Sequence, residues 1–372
     1  MKIGVPREIK NREYRVGMTP AAVHELCGHN HEVFVETGAG VAIGFSDDDY
    51  RQAGASIVDT AREVFDTAEL IVKVKEPQAE ERAMLKPDHT LFTYLHLAPD
   101  KAQTDDLVKS GATCIAYETV TDRAGHLPLL APMSEVAGRM SIQAGAHCLE
   151  KAKGGRGVLL GGVPGVSPAR VAVVGGGVVG QNAVAMAVGL GAHVTVLDRN
   201  MEVLRQLDHL YGNRITTLFS TARTLDQAVT ESDLVIGSVL IPGASAPKLI
   251  TRDMIRRMPE GSVIVDVAID QGGCTETSRA TTHDDPTYIV DGVVHYCVAN
   301  MPGAVARTST LALNNVTLPF VAALANKGPD RAMKEDPHLR AGLNVAAGKV
   351  TYREVAEATG HPYTNPESLL GS

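Results

Sequence analysis

The run Val171-Ala-Val-Val-Gly-Gly-Gly-Val-Val-Gly180, followed by Val194-Thr-Val-Leu-Asp198, constrains this chain more than any other feature. Val171 to Val174 suit a buried parallel strand, and Val178 to Leu190 read as the helix that follows it. Between them lies a Gly-x-Gly-x-x-Gly turn. In a chain with 36 glycines that pattern alone says little, but flanked by strand and helix it fits a dinucleotide-binding βαβ unit.

Each glycine has an expected task. Gly175 makes the tight turn, Gly177 lets a pyrophosphate approach the backbone, and Gly180 lets helix and strand pack closely. The phosphates then face unpaired N–H groups and the positive end of the helix dipole, so no lysine is required. Asp198 ends the second strand about 20 residues on, where a carboxylate accepts hydrogen bonds from the adenosine ribose. Its charge repels a 2′-phosphate and favours NAD over NADP; the adjacent Arg199 pulls the other way, since a guanidinium accommodates that phosphate. The alternative is a glycine-rich turn in some other α/β fold.

At 372 residues the chain is long for one core and suits two domains, and because the glycine turn falls near the middle, a full domain is expected before it. Lys plus Arg number 35 against 43 Asp plus Glu, a formal charge of -8 with no basic run, which argues against a nucleic-acid partner. Aromatics at 4%, with no Trp, leave little for base stacking. Cys27, Cys114, Cys148, Cys274 and Cys297 are odd in number and scattered, pointing to a reducing compartment rather than a disulfide framework or zinc knuckle. Neither a leader-like apolar stretch at the N-terminus nor a run of about 18 apolar residues appears, so no membrane association is expected.

Short apolar runs recur before the glycine turn at Ile3 to Val5, Glu32 to Glu36, Leu70 to Val74, Thr90 to Leu95 and Thr113 to Tyr117, with helix-compatible segments between them. That alternation implies parallel strands and crossover helices. Thr19-Pro20 and Ser46-Asp-Asp-Asp49 are helix starts. After Asp198, Leu234 to Val239 and Val263 to Ala268 continue the nucleotide-binding sheet, and Ile289 to Val298 forms its last strand region. Long helices are expected at Ser134 to Lys151 and Thr308 to Ala325. The resulting fold class is α/β: two Rossmann-like doubly wound domains joined by long helices with an interdomain cleft. Residues 131–307 form the nucleotide-binding domain, and 1–130 with 308–372 a discontinuous catalytic one.

In such sheets, strand ends deliver side chains to ligands. Lys75 follows Leu70 to Val74, His96 follows Leu91 to Leu95, Asp270 follows Val263 to Ile269, and Arg15 lies in the loop after the first strand. The set suits a substrate bearing a carboxylate beside a carbon that is oxidised. Arg15 offers a bidentate fork and Lys75 a point charge. His96 brings an imidazole, a group suited to taking and returning protons, and Asp270 can position a nitrogen or a water. Taken singly each has a plainer account: a solvated lysine, an exposed histidine, a loop arginine, an aspartate shaping the turn before Gly272-Gly273. Asn300 to Arg307 either covers the nicotinamide or is a connector. Glu118, Asp47 to Asp49 and Asp284-Asp285 have no metal-ligand spacing, so no metal is expected.

Gly4-Val-Pro-Arg-Glu-Ile-Lys-Asn-Arg-Glu-Tyr-Arg-Val-Gly-Met-Thr-Pro20, Val74-Lys-Glu-Pro77, Tyr94-Leu-His-Leu97, the glycine turn, Asp266-Val-Ala-Ile-Asp-Gln-Gly-Gly273 and the stretch from His295 to Ser309 together resemble bacterial alanine dehydrogenases, in order and over nearly the whole chain. The resemblance implies NAD-dependent, reversible oxidative deamination of L-alanine to pyruvate and ammonia by a cytoplasmic homohexamer. It puts substrate binding on Arg15 and Lys75 and catalysis on His96 and Asp270. Nucleotide contacts fall on Ser134, Val178, Val179, Asp198, Ser220, Val239, Leu240, Val267, Ala268, Ile269, Asp270, Arg279, Val298, Ala299, Asn300 and Met301. Val203 stands where many relatives carry a basic side chain. Three alternatives share much of this pattern: the soluble NAD-binding subunit of a transhydrogenase, a saccharopine dehydrogenase, and a non-catalytic NAD-binding module.

Overall fold

A computed structural model describes residues 1–239 and 246–370. The chain divides into two compact units, Met1–Pro132 with Val305–Ser372, and Met133–Ala304.

Among the described residues, the first unit holds an eight-stranded sheet. Its parallel strands lie in the spatial order Ser56–Val58, Glu32–Glu36, Lys2–Val5, Leu70–Val72, Thr90–Thr93, Thr113–Ala116. Leu343–Ala346 adds antiparallel to Thr113–Ala116, and Lys349–Val350 antiparallel beyond it. The second unit holds seven strands among its described residues. Ile215–Phe219, His193–Asp198, Arg170–Val174, Leu234–Gly237, Val263–Asp266 and Val293–Tyr296 run parallel, with Thr287–Val290 antiparallel at the edge. Counting their parallel strands alone, both sheets thus carry the doubly wound order third, second, first, fourth, fifth, sixth. The winding reverses between Lys2–Val5 and Leu70–Val72 in one, and between Arg170–Val174 and Leu234–Gly237 in the other. Ligands bind beyond the carboxyl ends of the strands at such reversals.

The central strands Leu70–Val72, Thr90–Thr93, Leu234–Gly237 and Val263–Asp266 are buried at every residue. Strands covered on both faces have no solvent side on which to place polar residues, hence their near-continuous apolar sequences. Helix starts follow local chemistry. Thr19 accepts from the Ala22 amide ahead of Pro20–Gly28, and Ser46 with Asp49 forms a reciprocal cap on Asp47–Gln52. Asn314, on the helix Ala306–Lys327, ties the late chain to the early one: its Oδ1 accepts from the Thr19 amide at 2.7 Å and its Nδ2 donates to the Gly17 carbonyl.

Several elements depart from the sequence pattern. Strands end two residues early, at Val72, Thr93, Gly237 and Asp266, because the following residues turn into loops or, at Val267–Gln271, a 3-10 turn. Ser56–Val58 and Ile215–Phe219 are edge strands, half open to solvent, whose sequences lack a full apolar run. The region from Ile289 is a hairpin rather than one strand: Asp291 and Gly292, with φ of 48° and 81°, reverse the chain between Thr287–Val290 and Val293–Tyr296. The long helices span Ala131–Cys148 and Ala306–Lys327, starting earlier than the sequence pattern suggested. Among the described residues, Met301–Lys327 is the one helix long and apolar enough to cross a bilayer by length and composition; its Leu313, Val321 and Leu324 are buried.

Candidate active site

In the second unit, the turn after Arg170–Val174 has the geometry a dinucleotide needs. Gly175 has φ of +101°, where a side chain would be strained. A Cβ on Gly180 would fall 1.9 Å from the Gly175 carbonyl oxygen, so only glycine permits this approach of helix to turn. A Cβ on Gly177 would meet nothing within 4 Å. The backbone beside Gly177 is open, and the helix Val178–Gly189 that it starts has no side-chain cap, leaving its first N–H groups for a ligand. Asp198 Oδ2 accepts from the Gly176 amide at 2.6 Å and Oδ1 from the Asn200 amide at 2.7 Å, which fixes the carboxylate beside the turn. Val203 also packs here, since a Cβ on Gly176 would lie 2.6 Å from its Cγ1.

The other expected nucleotide contacts among the described residues lie in this unit. Ser134 is on the helix Ala131–Cys148, and Ser220 and Val239 follow the carboxyl ends of Ile215–Phe219 and Leu234–Gly237. Val267, Ala268, Ile269 and Asp270 occupy the 3-10 turn after Val263–Asp266, and Val298, Ala299, Asn300 and Met301 follow Val293–Tyr296. The Arg279 guanidinium lies 4.1 Å over the Tyr288 ring. Leu240 lies outside the described residues.

In the first unit, the charged residues follow three of the strands. Arg15 is in the loop after the first strand, Lys75 after the fourth and His96 after the fifth, so they flank the reversal of the winding. Arg15 is 2% exposed, which removes the surface-loop account. Its Nε and Nη2 donate to the two carboxylate oxygens of Glu13 at 2.7 and 2.6 Å. A cavity of about 510 Å³ is lined by Glu8, Lys10, Glu13, Arg15 and Gly38, among others. Lys75 is half-buried, and its amide donates to Glu8 Oε1 at 3.3 Å. Burial alone would lift the Glu76 carboxyl, but the Lys75 and Lys10 ammonium groups outweigh it and hold Glu76 below its ordinary range.

His96 sits in the left-handed region at φ +50°. Glu118, just past the end of the neighbouring strand, holds it there: its Oε1 accepts from the His96 amide at 2.6 Å, and the Leu95 amide donates to the same carboxylate. The imidazole, 45% exposed at the side chain, stacks on Tyr94 at 5.8 Å with 7° between the rings. Tyr94 in turn donates to the Leu129 carbonyl at 2.5 Å, and burial pushes its phenol up. Asp270 is exposed on the second unit, also after the fifth strand of its sheet. Arg15, Lys75 and His96 thus share one unit, and Asp270 belongs to the other.

The comparisons with known proteins agree over the whole chain. Residues 4–137 match the N-terminal domain and residues 141–353 the C-terminal domain described as "Alanine dehydrogenase/PNT". The chain belongs to the alanine dehydrogenase/PNT family. It is 64% identical over 371 residues to an alanine dehydrogenase of Halomonas elongata, covering 100% of both chains. Among solved structures it superimposes on an L-alanine dehydrogenase with TM-score 0.94 at 52% identity, covering 97% of this chain and 99% of that one. A transhydrogenase from Sinorhizobium meliloti matches with TM-score 0.81 at 25% identity, over 95% and 99%.

In this member of the family, supporting residues escaped the sequence pattern. Glu13 is only two residues from Arg15, but nothing local says that both are buried. Glu118 is 22 residues from His96 and is brought to it by strand adjacency alone. Ser238 donates to the carbonyls of both Val174 and Gly175 at 2.9 Å, bracing the glycine turn from the next strand.

Proposed function

We propose that the protein catalyses NAD-dependent, reversible oxidative deamination of L-alanine to pyruvate and ammonia. The observation that carries this is that the chain holds two doubly wound sheets, one with an open, glycine-lined helix N-terminus at its reversal and the other with Arg15, Lys75 and His96 beyond its strand ends. Full-length similarity to alanine dehydrogenases supports it.

Gly175, Gly177 and Gly180, the amides of Val178 and Val179, and Asp198 would hold the pyrophosphate and adenosine ribose, with Ser134, Ser220, Val239, Leu240, Val267 to Asp270, Arg279 and Val298 to Met301 around the remainder. When bound, the nicotinamide supplies the acceptor for the hydride from the substrate's α-carbon. Arg15 and Lys75 neutralise the substrate carboxylate. His96 moves protons at its imidazole as water adds to the imine carbon, and Asp270 positions that water and the departing ammonia. Glu118 and Tyr94 hold the imidazole in one orientation, which is where positioning reduces the barrier. The Asp198 carboxylate favours NAD over NADP. A cytoplasmic homohexamer belongs to the same proposal and rests on the family likeness.

A transhydrogenase-type subunit is the second reading, favoured by the match to the Sinorhizobium meliloti structure. The two separate on NADH formation by the purified protein with NAD+ and L-alanine at alkaline pH, beside His96→Ala and an NADP+ control. Turnover with NAD+ that His96→Ala abolishes supports the dehydrogenase. Nucleotide binding without turnover on any amino acid supports the transhydrogenase-like subunit or a non-catalytic module.

A further inference from the structure

Asp266 ends the strand Val263–Asp266 and is fully buried, four residues before Asp270. Its carboxylate is the hub of the loop that follows. Oδ1 accepts from the Ala268 amide at 3.1 Å and faces the Cys274 thiol at 3.5 Å. Oδ2 accepts from the Thr275 amide at 3.2 Å and the Ser278 hydroxyl at 2.6 Å. The grip therefore falls on both sides of residues 269–273, entering at Ala268 and leaving at Thr275 and Ser278.

Two glycines make the space. On the adjacent strand Gly237 is in register with Asp266, and a Cβ there would fall 2.4 Å from Cys274 Sγ and 3.2 Å from Asp266 Oδ1. Gly273, at φ +78°, would place a Cβ 2.7 Å from Asp266 Oδ2. A carboxylate that satisfies donors on both flanks of a loop fixes its ends at once, which a neutral amide cannot do because its NH2 group turns a donor toward donors. Within the span so held, Gly272 and Gly273 both have positive φ, and Asp270 is presented to solvent on a 3-10 turn.

We infer that Asp266 is a positioning residue that clamps the two ends of the 267–278 loop and thereby sets the placement of the Asp270 carboxylate. The inference rests on the dehydrogenase activity proposed above. Asp266, fully buried, acts through Asp270.

The test is a double-mutant cycle on the full-length protein: wild type, Asp266→Asn, Asp270→Asn and the double variant, with kcat and KM for L-alanine measured separately. Asp266→Asn is expected to lower kcat by about 10- to 100-fold, the scale of a misplacement near 1 Å, with KM for alanine changed by less than about threefold. In the double variant the second substitution adds nothing, giving kcat within about twofold of Asp270→Asn alone. Multiplicative losses, or an Asp266→Asn enzyme with unchanged kcat, overturn the inference. Should Asp266→Asn not fold, Ser278→Ala removes one grip only. It is expected to lower kcat by several-fold and to speed hydrogen exchange at the Ala268 and Thr275 amides, and unchanged kcat and exchange overturn the inference. A wild type that binds NADH but turns over no amino acid fails the proposed function instead, a result separate from any of these.

Discussion

Arg15 and Glu13 form a two-pronged ion pair out of solvent: the guanidinium meets both carboxylate oxygens at 2.7 and 2.6 Å, with side chains 1% and 0% exposed. Leaving one charge of a buried pair without its partner costs about 3–5 kcal/mol, whereas removing both costs far less. Glu13→Gln is therefore expected to destabilise the fold by about that amount in chemical denaturation, and Glu13→Gln with Arg15→Met by less than either single change. Equal or additive losses would contradict the pairing as the source of the effect. Arg15→Lys keeps the charge without the fork, so KM for L-alanine should rise more than kcat falls.

The glycine turn separates folding from ligand binding. A Cβ at Gly180 collides with the Gly175 carbonyl, so Gly180→Ala should lower stability by about 1–3 kcal/mol and weaken NADH binding with it. At Gly177 a Cβ meets only open space and φ is -68°, so Gly177→Ala should melt like wild type. Its methyl group nevertheless stands where a pyrophosphate approaches, and NADH affinity read by fluorescence titration should fall about tenfold. An unchanged affinity would remove Gly177 from the nucleotide site.

Asp198 bears on cofactor choice. Its carboxylate is held by the Gly176 and Asn200 amides beside the turn, and a second negative charge within about 5 Å is repelled by several kcal/mol at an effective dielectric near 20. Asp198→Asn removes the charge and turns an NH2 group toward one of the two backbone amides that Asp198 now binds, so melting is checked beside the kinetics. The ratio of kcat/KM for NAD+ over NADP+ should drop by at least about tenfold, mainly through improved use of NADP+ beside Arg199. A constant ratio would show that discrimination lies elsewhere.

Lys73 lies between Glu8 and Glu81, 3.0 and 2.7 Å from their carboxylates, with no solvent exposure of its own side chain. Burial raises the Glu8 carboxyl above its ordinary range even against the pull of Lys73. Because the folded form holds this proton more tightly, its contribution is complete below the ordinary carboxyl value of 4.5 and is lost as pH rises through the raised folded value. Lys73→Met removes the pull and raises Glu8 further. The variant should lose about 3–5 kcal/mol at neutral pH and recover part of it on acidification, seen as a Tm gap to wild type that narrows from pH 8 to pH 5. A gap that is flat or widens in that range would exclude the mechanism.

By itself the sequence determined the local units and the chemistry they bear: the strand, glycine turn and helix from Val171 to Leu190, Asp198 at the end of the next strand, the capped helices after Thr19 and Ser46, and Arg15, Lys75, His96 and Asp270 near strand ends. These are legible because apolar periodicity, capping and positive φ are properties of a few neighbouring residues. Tertiary structure decided what those residues meet. It added the edge strands Ser56–Val58 and Ile215–Phe219, whose pairing comes from a neighbour rather than from their own half-exposed sequences. It buried Arg15 with Glu13, brought Glu118 to the amide of His96, and closed the 267–278 loop on Asp266. It also joined Asn314 to Thr19 across 295 residues of chain. Those partners depend on which strands become neighbours, and that order is set by crossovers and by the collective burial of both sheet faces, information that no short window of sequence contains.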